Sequence, residues 1–208
     1  MPRDGSVYRC QTCGYASPKP GTCADCARQG NYQPLVEERS ARREAKRPSF
    51  AQTSPPVLLS DIRLDSEART LTGIGELDRV LGGGVVRGSL VLIGGDPGIG
   101  KSTLLLQASR VLAELGAAVL YVSGEESVAQ VKLRAERLGI SPSGLYVLAE
   151  TDLEAIEAHV EGLRPKVLVV DSIQTVYLAD LESAPGSVSQ VRECGSRLML
   201  LAKGKGVA

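Results

Sequence analysis

The run Gly95-Asp96-Pro97-Gly98-Ile99-Gly100-Lys101-Ser102 has the pattern GxxxxGK[ST]. It admits few folds, because it needs a strand delivering the chain into the loop and a helix leaving it. Both flanks fit: Leu90–Gly94 is short and apolar, and the segment from about Lys101 to Leu115 has helical character. In that setting the glycines let the backbone wrap a phosphate with its N–H groups pointing inward, and the helix N-terminus adds its dipole. Gly95, Asp96, Pro97, Gly98, Ile99, Gly100, Lys101, Ser102 and Thr103 are therefore the candidate nucleotide contacts. Lys101 would reach the β- and γ-phosphates and Ser102 would ligate Mg2+. The competing reading, a glycine-rich turn that holds no nucleotide, leaves the strand–loop–helix context without a reason.

Downstream, short apolar runs alternate with helical stretches. Ala118–Ser123, Leu145–Ala149 and Val167–Val170 read as strands; about Ser127–Leu138, Asp152–Leu163 and Val188–Ala202 read as helices. Strands apolar throughout, alternating with helices, predict a parallel sheet covered on both faces, so the class is a three-layer α/β fold. Aromatics are only 3 %, so the core must be built from Leu, Val, Ile and Ala.

Ligands in open α/β sheets bind at the carboxyl ends of the strands. Val167-Leu168-Val169-Val170-Asp171 delivers an acid there, which makes Asp171 the candidate Walker B residue and second magnesium ligand. The strand ending at Ser123 is followed by Gly124-Glu125-Glu126. Ser123 and Glu126 have the spacing of a capping box, which leaves Glu125 as the candidate base that activates water.

Four of the five cysteines lie in the first 26 residues as Cys10-x2-Cys13 and Cys23-x2-Cys26. Each pair lets two thiolates from one turn reach the same ion, and two pairs complete the tetrahedral four-sulfur set of a structural Zn2+ site. Two disulfides in a secreted domain, or an iron–sulfur centre, are the alternatives. Residues 37–56 are charged, lack an apolar period and end in Pro-Pro, as expected of a tether. The expected organisation is a zinc ribbon over 1–36, a linker over 37–56 and a nucleotide-binding domain over 57–208.

Basic and acidic residues balance at 24 each, which argues against a simple basic nucleic-acid coat. Residues 1–50 nevertheless carry nine Lys and Arg against five Asp and Glu, so attraction for a polyanion would concentrate there. No apolar run has the length of a membrane span and no leader pattern precedes the first motif, so a soluble cytoplasmic protein is expected. Cys194 reads as a buried thiol, and His159 has no expected chemical part.

The run TGIGELDRVLGGGVVRGSLVLIGGDPGIGKST resembles the entry to RecA-type ATPases, including the KaiC and DnaB relatives. With the four-cysteine ribbon ahead of it, and YVSGEES, VVDSIQT and APGSVSQVREC behind, the chain is similar to a bacterial DNA-repair branch of that family from Tyr8 to about Ala202. The resemblance implies ATP, Mg2+ and Zn2+ as cofactors and a DNA-dependent ATPase acting in recombinational repair. It implies binding of single-stranded or branched DNA, a hexameric ring, branch migration, and recombinase, replication or repair proteins as partners. By the same likeness Lys101 and Glu125 are catalytic, Asp171 completes the magnesium sphere, and Tyr177–Gln190 takes the place of a DNA-facing loop. Within it Gly186, Ser187, Ser189 and Gln190 suit close backbone approach and phosphate hydrogen bonds, although an ordinary connecting loop fits the bare chemistry equally.

Such relatives continue past the position of Ala208 into another core strand, a Lys-Asn-Arg-Phe-Gly motif and a Lon-protease-like domain. That strand would lie between the P-loop strand and the Walker B strand, so a gap in the sheet is expected. Two rival functions share part of the pattern. A KaiC-like signalling ATPase has the entry and P-loop features but gives no account of the ribbon, and a zinc adaptor would hold nucleotide without turnover.

Overall fold

The structure, a computed structural model, describes residues 6–39, 56–61 and 69–208. The chain divides into two compact units, Met1–Ser49 and Phe50–Ala208.

In the smaller unit, β1 (Ser6–Cys10) is the central strand, pairing antiparallel with β2 (Ala16–Ser17) and with β3 (Leu35–Arg39). A single helical turn, α1 (Ala24–Ala27), sits between β2 and β3. The buried residues are Cys10, Cys23 and Cys26, with Leu35 packed against them. Three thiols and a leucine are too little apolar mass to hold a fold of this size in water. The predicted tether starts later than residue 37. Glu37, Glu38 and Arg39 complete β3 opposite Tyr8, Val7 and Ser6, because ladder hydrogen bonds between main chains are open to charged residues too. Residues 40–55 lie outside the described residues.

The larger unit is built around a parallel sheet of order β5-β4-β6, where β4 is Val119–Ser123, β5 Leu145–Ala149 and β6 Val167–Asp171. Side chains alternate across a strand, so each strand supplies two faces. Val119, Tyr121, Val147, Val167 and Val169 point to one side, where they meet α3 (Lys101–Glu114) and α4 (Val128–Arg137) through Leu106, Leu112, Val131 and Ala135. Leu120, Val122, Leu148, Leu168 and Val170 point to the other. There α5 (Leu153–Leu163) and α6 (Val188–Lys205) cover them through Leu153, Ile156, Val160, Cys194 and Leu198. All five residues of β4 are buried, as a central parallel strand requires. This is the three-layer α/β fold that the apolar strands predict.

Ahead of the sheet, α2 (Gly75–Val80) is pinned by a buried pair. Asp78 accepts from the Thr72 N–H and the Thr72 hydroxyl, each at 2.8 Å. The Thr72 N–H holds the Asp78 carboxyl below the usual carboxylate range.

One predicted strand is not formed. Leu90–Gly94 runs without ladder partners, and Leu90, Val91 and Leu92 are 53 %, 43 % and 84 % exposed. A strand requires a neighbour to complete its hydrogen bonds, and none is present beside it among the described residues. The edge of β6 facing away from β4 meets the segment at Ala208. There Leu168 N–H donates to Ala208 O at 2.8 Å and Ala208 N–H to Lys166 O at 3.0 Å. No strand pairs with that edge among the described residues.

Candidate functional site

The loop from Gly95 to Gly100 curls over the start of α3. Gly98 and Gly100 have φ of +79° and +103°, a region closed to most side chains, so the two glycines make the reversal possible. Gly100 takes the N-cap position and no side chain caps the helix. The first-turn N–H groups of α3 are thus left without a side-chain acceptor, a setting that suits an anion. Lys101 folds back into the loop, its Nζ donating to Gly95 O at 2.8 Å and Asp96 O at 2.9 Å. Ser102 and Thr103 are half-buried on the first turn.

The direction of α3 decides what the loop faces. Leu106, near its start, packs with Tyr121, Val147 and Val169, midway along the strands; Leu112 and Ala113, near its end, pack with Val119 and Val167, where β4 and β6 begin. The helix therefore runs against the strands, and its N-terminus lies toward their carboxyl ends. Those ends carry the candidate acids. Ser123 and Asp171 are paired in register, and Gly124 N–H donates to Asp171 O at 2.9 Å. Asp171 Oδ2 accepts from the Tyr121 hydroxyl at 2.5 Å. Burial, followed by the Asp171 hydrogen bond, pushes the Tyr121 phenol far above its ordinary value. The peptide between Asp171 and Ser172 is cis.

Glu125 and Glu126 have different partners. Glu125 Oε1 accepts from the Ser172 hydroxyl at 2.8 Å, so it is tied to the turn that follows Asp171. Glu126 pairs with Arg134 of α4, both of them half-buried. The capping box that the sequence places on Ser123 and Glu126 is instead formed by Ser127 and Gln130. Ser123 Oγ does accept from Glu126 N–H at 3.0 Å, but α4 begins at Val128, so the Glu126 carboxylate is left to Arg134. Between the acids, Gly124 abuts Thr175. A Cβ at residue 124 would overlap the Thr175 hydroxyl and lie 2.8 Å from its Cβ, so only glycine fits.

The loop from Tyr177 to Ser187 leads from this end of the sheet into α6, and one of its expected phosphate contacts is placed elsewhere. Gln190 is 1 % exposed, and its side chain is spent on the loop's own backbone. Its Oε1 accepts from Leu178 N–H at 2.9 Å, while Nε2 donates to Leu178 O at 3.1 Å and Ser183 O at 2.9 Å. Ser187 caps α6, its Oγ accepting from Gln190 N–H at 3.3 Å. Gly186 and Ser189 remain exposed. Cys194 is fully buried, and burial raises its thiol; His159 is exposed on α5.

In the smaller unit the four sulfurs of Cys10, Cys13, Cys23 and Cys26 lie within 4.8 Å of one another. Cys10 Sγ is 3.8 Å from Cys26 Sγ, and Cys13 Sγ is 3.4 Å from Cys23 Sγ. Tetrahedral Zn–S bonds of about 2.3 Å set sulfurs about 3.8 Å apart, so the cluster matches that geometry and could hold zinc. The N–H groups of Cys13 and Thr12 draw the Cys10 thiol down to about 6, which favours a thiolate. Cys26 N–H also points to Cys23 Sγ at 3.5 Å.

Tyr121, Ser172 and Gln190 are the site-bordering residues whose contacts sequence reasoning does not supply. Tyr121 is the one aromatic in β4, and its hydroxyl, at the edge of a buried side chain, needs a partner. That partner lies 50 residues away, out of reach of local pattern.

Fold and site together define a P-loop α/β nucleotide-binding domain, joined in one chain to a four-thiol cluster that could hold a metal. The family model described as "AAA domain" matches residues 55–208, and the chain belongs to that family. It is similar along its whole length to "DNA repair protein RadA" of Bacillus subtilis (strain 168), at 53 % identity over 213 residues, covering 100 % of this chain and 46 % of that protein. The protein of the same name in Listeria monocytogenes is 50 % identical over 205 residues, covering 97 % of this chain and 44 % of the relative. That of Streptococcus pyogenes serotype M1 is 49 % identical over 209 residues, with 100 % and 46 % covered. The chain thus spans just under half the length of these curated relatives. Among the described residues no helix is long and apolar enough to cross a membrane.

Proposed function

We propose that this chain binds ATP and Mg2+ at the loop Gly95–Thr103 and hydrolyses the nucleotide, as part of a cytoplasmic protein acting on DNA in recombinational repair. The observation that carries the nucleotide reading is the convergence at one end of the sheet. The uncapped start of α3, with Lys101 and Ser102, is directed to the end where β6 presents Asp171 and the turn after β4 presents Glu125.

The roles follow from chemistry. The loop N–H groups and Lys101 hold the phosphates, and the ammonium exchanges its loop carbonyls for phosphate oxygens. Ser102 and Asp171 are the oxygen ligands for Mg2+, which, when bound, neutralises charge developing on the phosphates. Glu125 accepts the proton of the attacking water, with Ser172 orienting its carboxylate. The four thiols hold a structural Zn2+ that organises the ribbon, since four protein ligands leave no position for chemistry. The proposed division is a ribbon that takes in β3 to Arg39, a tether from there to 56 and the nucleotide domain over 57–208.

The DNA reading is supported by the likeness to proteins named for DNA repair. Single-stranded or branched DNA, assembly as a hexameric ring, branch migration and recombinase or replication partners are the finer parts of the same proposal. The test is ATP turnover by the chain with and without single-stranded DNA. Stimulation by DNA, abolished in Glu125→Gln with nucleotide binding intact, is the expected result. Turnover indifferent to DNA would favour a signalling ATPase, and turnover unchanged in Glu125→Gln would remove that residue from the chemistry.

A further inference from the structure

Tyr121 stands on β4, in the layer that faces α3 and α4, and is 0 % exposed. Its ring packs with Leu106, Val131, Ala135 and Ile140, so the side chain is fixed in place by apolar contacts on several elements. Only its hydroxyl emerges toward the carboxyl end of the sheet, where it donates to Asp171 Oδ2 at 2.5 Å. The two residues belong to neighbouring strands whose pairing sets Tyr121 against Val169 and Ser123 against Asp171. A rigid donor on a rigid strand thus engages one oxygen of the acid and leaves the other available.

We propose that Tyr121 is the positioning residue of the magnesium site: its hydroxyl fixes the plane and rotamer of Asp171 and leaves Oδ1 as the oxygen that would ligate Mg2+. This rests on the reading of Asp171 as a magnesium ligand. A carboxylate that could rotate would have to be ordered each time the metal binds, and a donor already in place removes that cost. The same geometry explains why a phenol sits among the valines and leucine of β4. Phenylalanine would fill the same space and pack as well, so the hydroxyl is the part that packing does not require.

The experiment is a magnesium titration of nucleotide binding to the whole chain, followed with a fluorescent ATP analogue, for the parent, Tyr121→Phe and Asp171→Asn. Tyr121→Phe keeps the ring, so nucleotide affinity measured in EDTA and the melting temperature should stay close to the parent. The Mg2+ concentration for half-maximal effect should rise by about tenfold, the scale on which ligand-orienting partners act. Replacing Tyr121 with 3-fluorotyrosine, which keeps the hydroxyl, should restore the parent curve and serves as the decisive comparison if the Phe variant fails to fold. An unchanged magnesium curve in Tyr121→Phe, alongside a shifted one in Asp171→Asn, overturns the positioning role and leaves the magnesium reading intact. An unchanged curve in Asp171→Asn rejects the magnesium reading of Asp171, and this inference falls with it. A 3-fluorotyrosine chain that folds but titrates like Asp171→Asn also counts against the proposal.

Discussion

The Ser172 hydroxyl donates to Glu125 Oε1 at 2.8 Å, joining the turn after β6 to the turn after β4. Ser172 O in turn accepts from the Thr175 hydroxyl at 2.8 Å, so the carboxylate is anchored to the head of the segment that leads into α6. A carboxylate held this way is aimed in advance, so under the proposed role of Glu125 as base, loosening it should slow the chemical step more than binding. Ser172→Ala is expected to lower kcat for ATP by about tenfold with KM within about twofold. Steady-state kinetics on the variant decides it, and a rise in KM at constant kcat would assign Ser172 to binding instead.

Gln190 offers a test of the loop rather than of the chemistry. Its amide closes hydrogen bonds to Leu178 and Ser183 in a site that is 1 % exposed. Gln190→Leu fills similar volume but strands those main-chain groups, and should cost about 2–4 kcal/mol of stability. Urea unfolding followed by far-UV circular dichroism would show the loss; a cost near zero would mean that the loop re-forms around water.

Acid sensitivity should trace partly to Asp78. The Thr72 N–H, with the Thr72 hydroxyl, keeps its folded-state carboxyl below the ordinary carboxylate range. A depressed folded value means that the stabilisation is fully present above the unfolded value of about 3.9 and disappears as pH falls through the folded one. Asp78→Asn should therefore melt below the parent at neutral pH, with the difference shrinking as the solution is taken below about pH 4. Melting curves of both proteins across that interval give the answer, and a gap constant with pH would contradict it.

For the ribbon, the four sulfurs within 4.8 Å of one another replace a hydrophobic core. The expected content is one zinc per chain, measured by inductively coupled plasma spectrometry, and Cys10→Ser should lose it. Proteolysis or hydrogen exchange should then open residues 8–28 while the larger unit keeps its protection. Full zinc retention in that variant would reject a site made of these four thiols.

What could be read from residues alone follows from range. The Cys-x2-Cys pairs, the helix opening at Lys101 and the run ending at Asp171 are local patterns carried by adjacent residues, and the sulfur cluster, α3 and β6 form where those patterns lie. Leu90–Gly94 shows the opposite case: its apolar character is that of a strand, but strand formation depends on a neighbour that the sequence around it cannot supply. The Ser123–Glu126 cap misreads by one turn, because Ser127 with Gln130 makes the better box at the true start of α4. Gln190 looks like a surface amide beside two serines, and only the fold reveals that the loop closes over it. Tyr121 and Asp171 meet across two strands, so their partnership is a property of sheet register alone.

The central claim is that Gly95–Thr103 is a nucleotide site. Isothermal titration of ATP with Mg2+ into this chain, in parallel with Lys101→Ala at matched stability, tests it most directly. The account predicts one nucleotide per chain for the parent and a loss of affinity of at least about tenfold for the variant, whose charge-assisted phosphate contact is gone. Equal binding by the two proteins would contradict it.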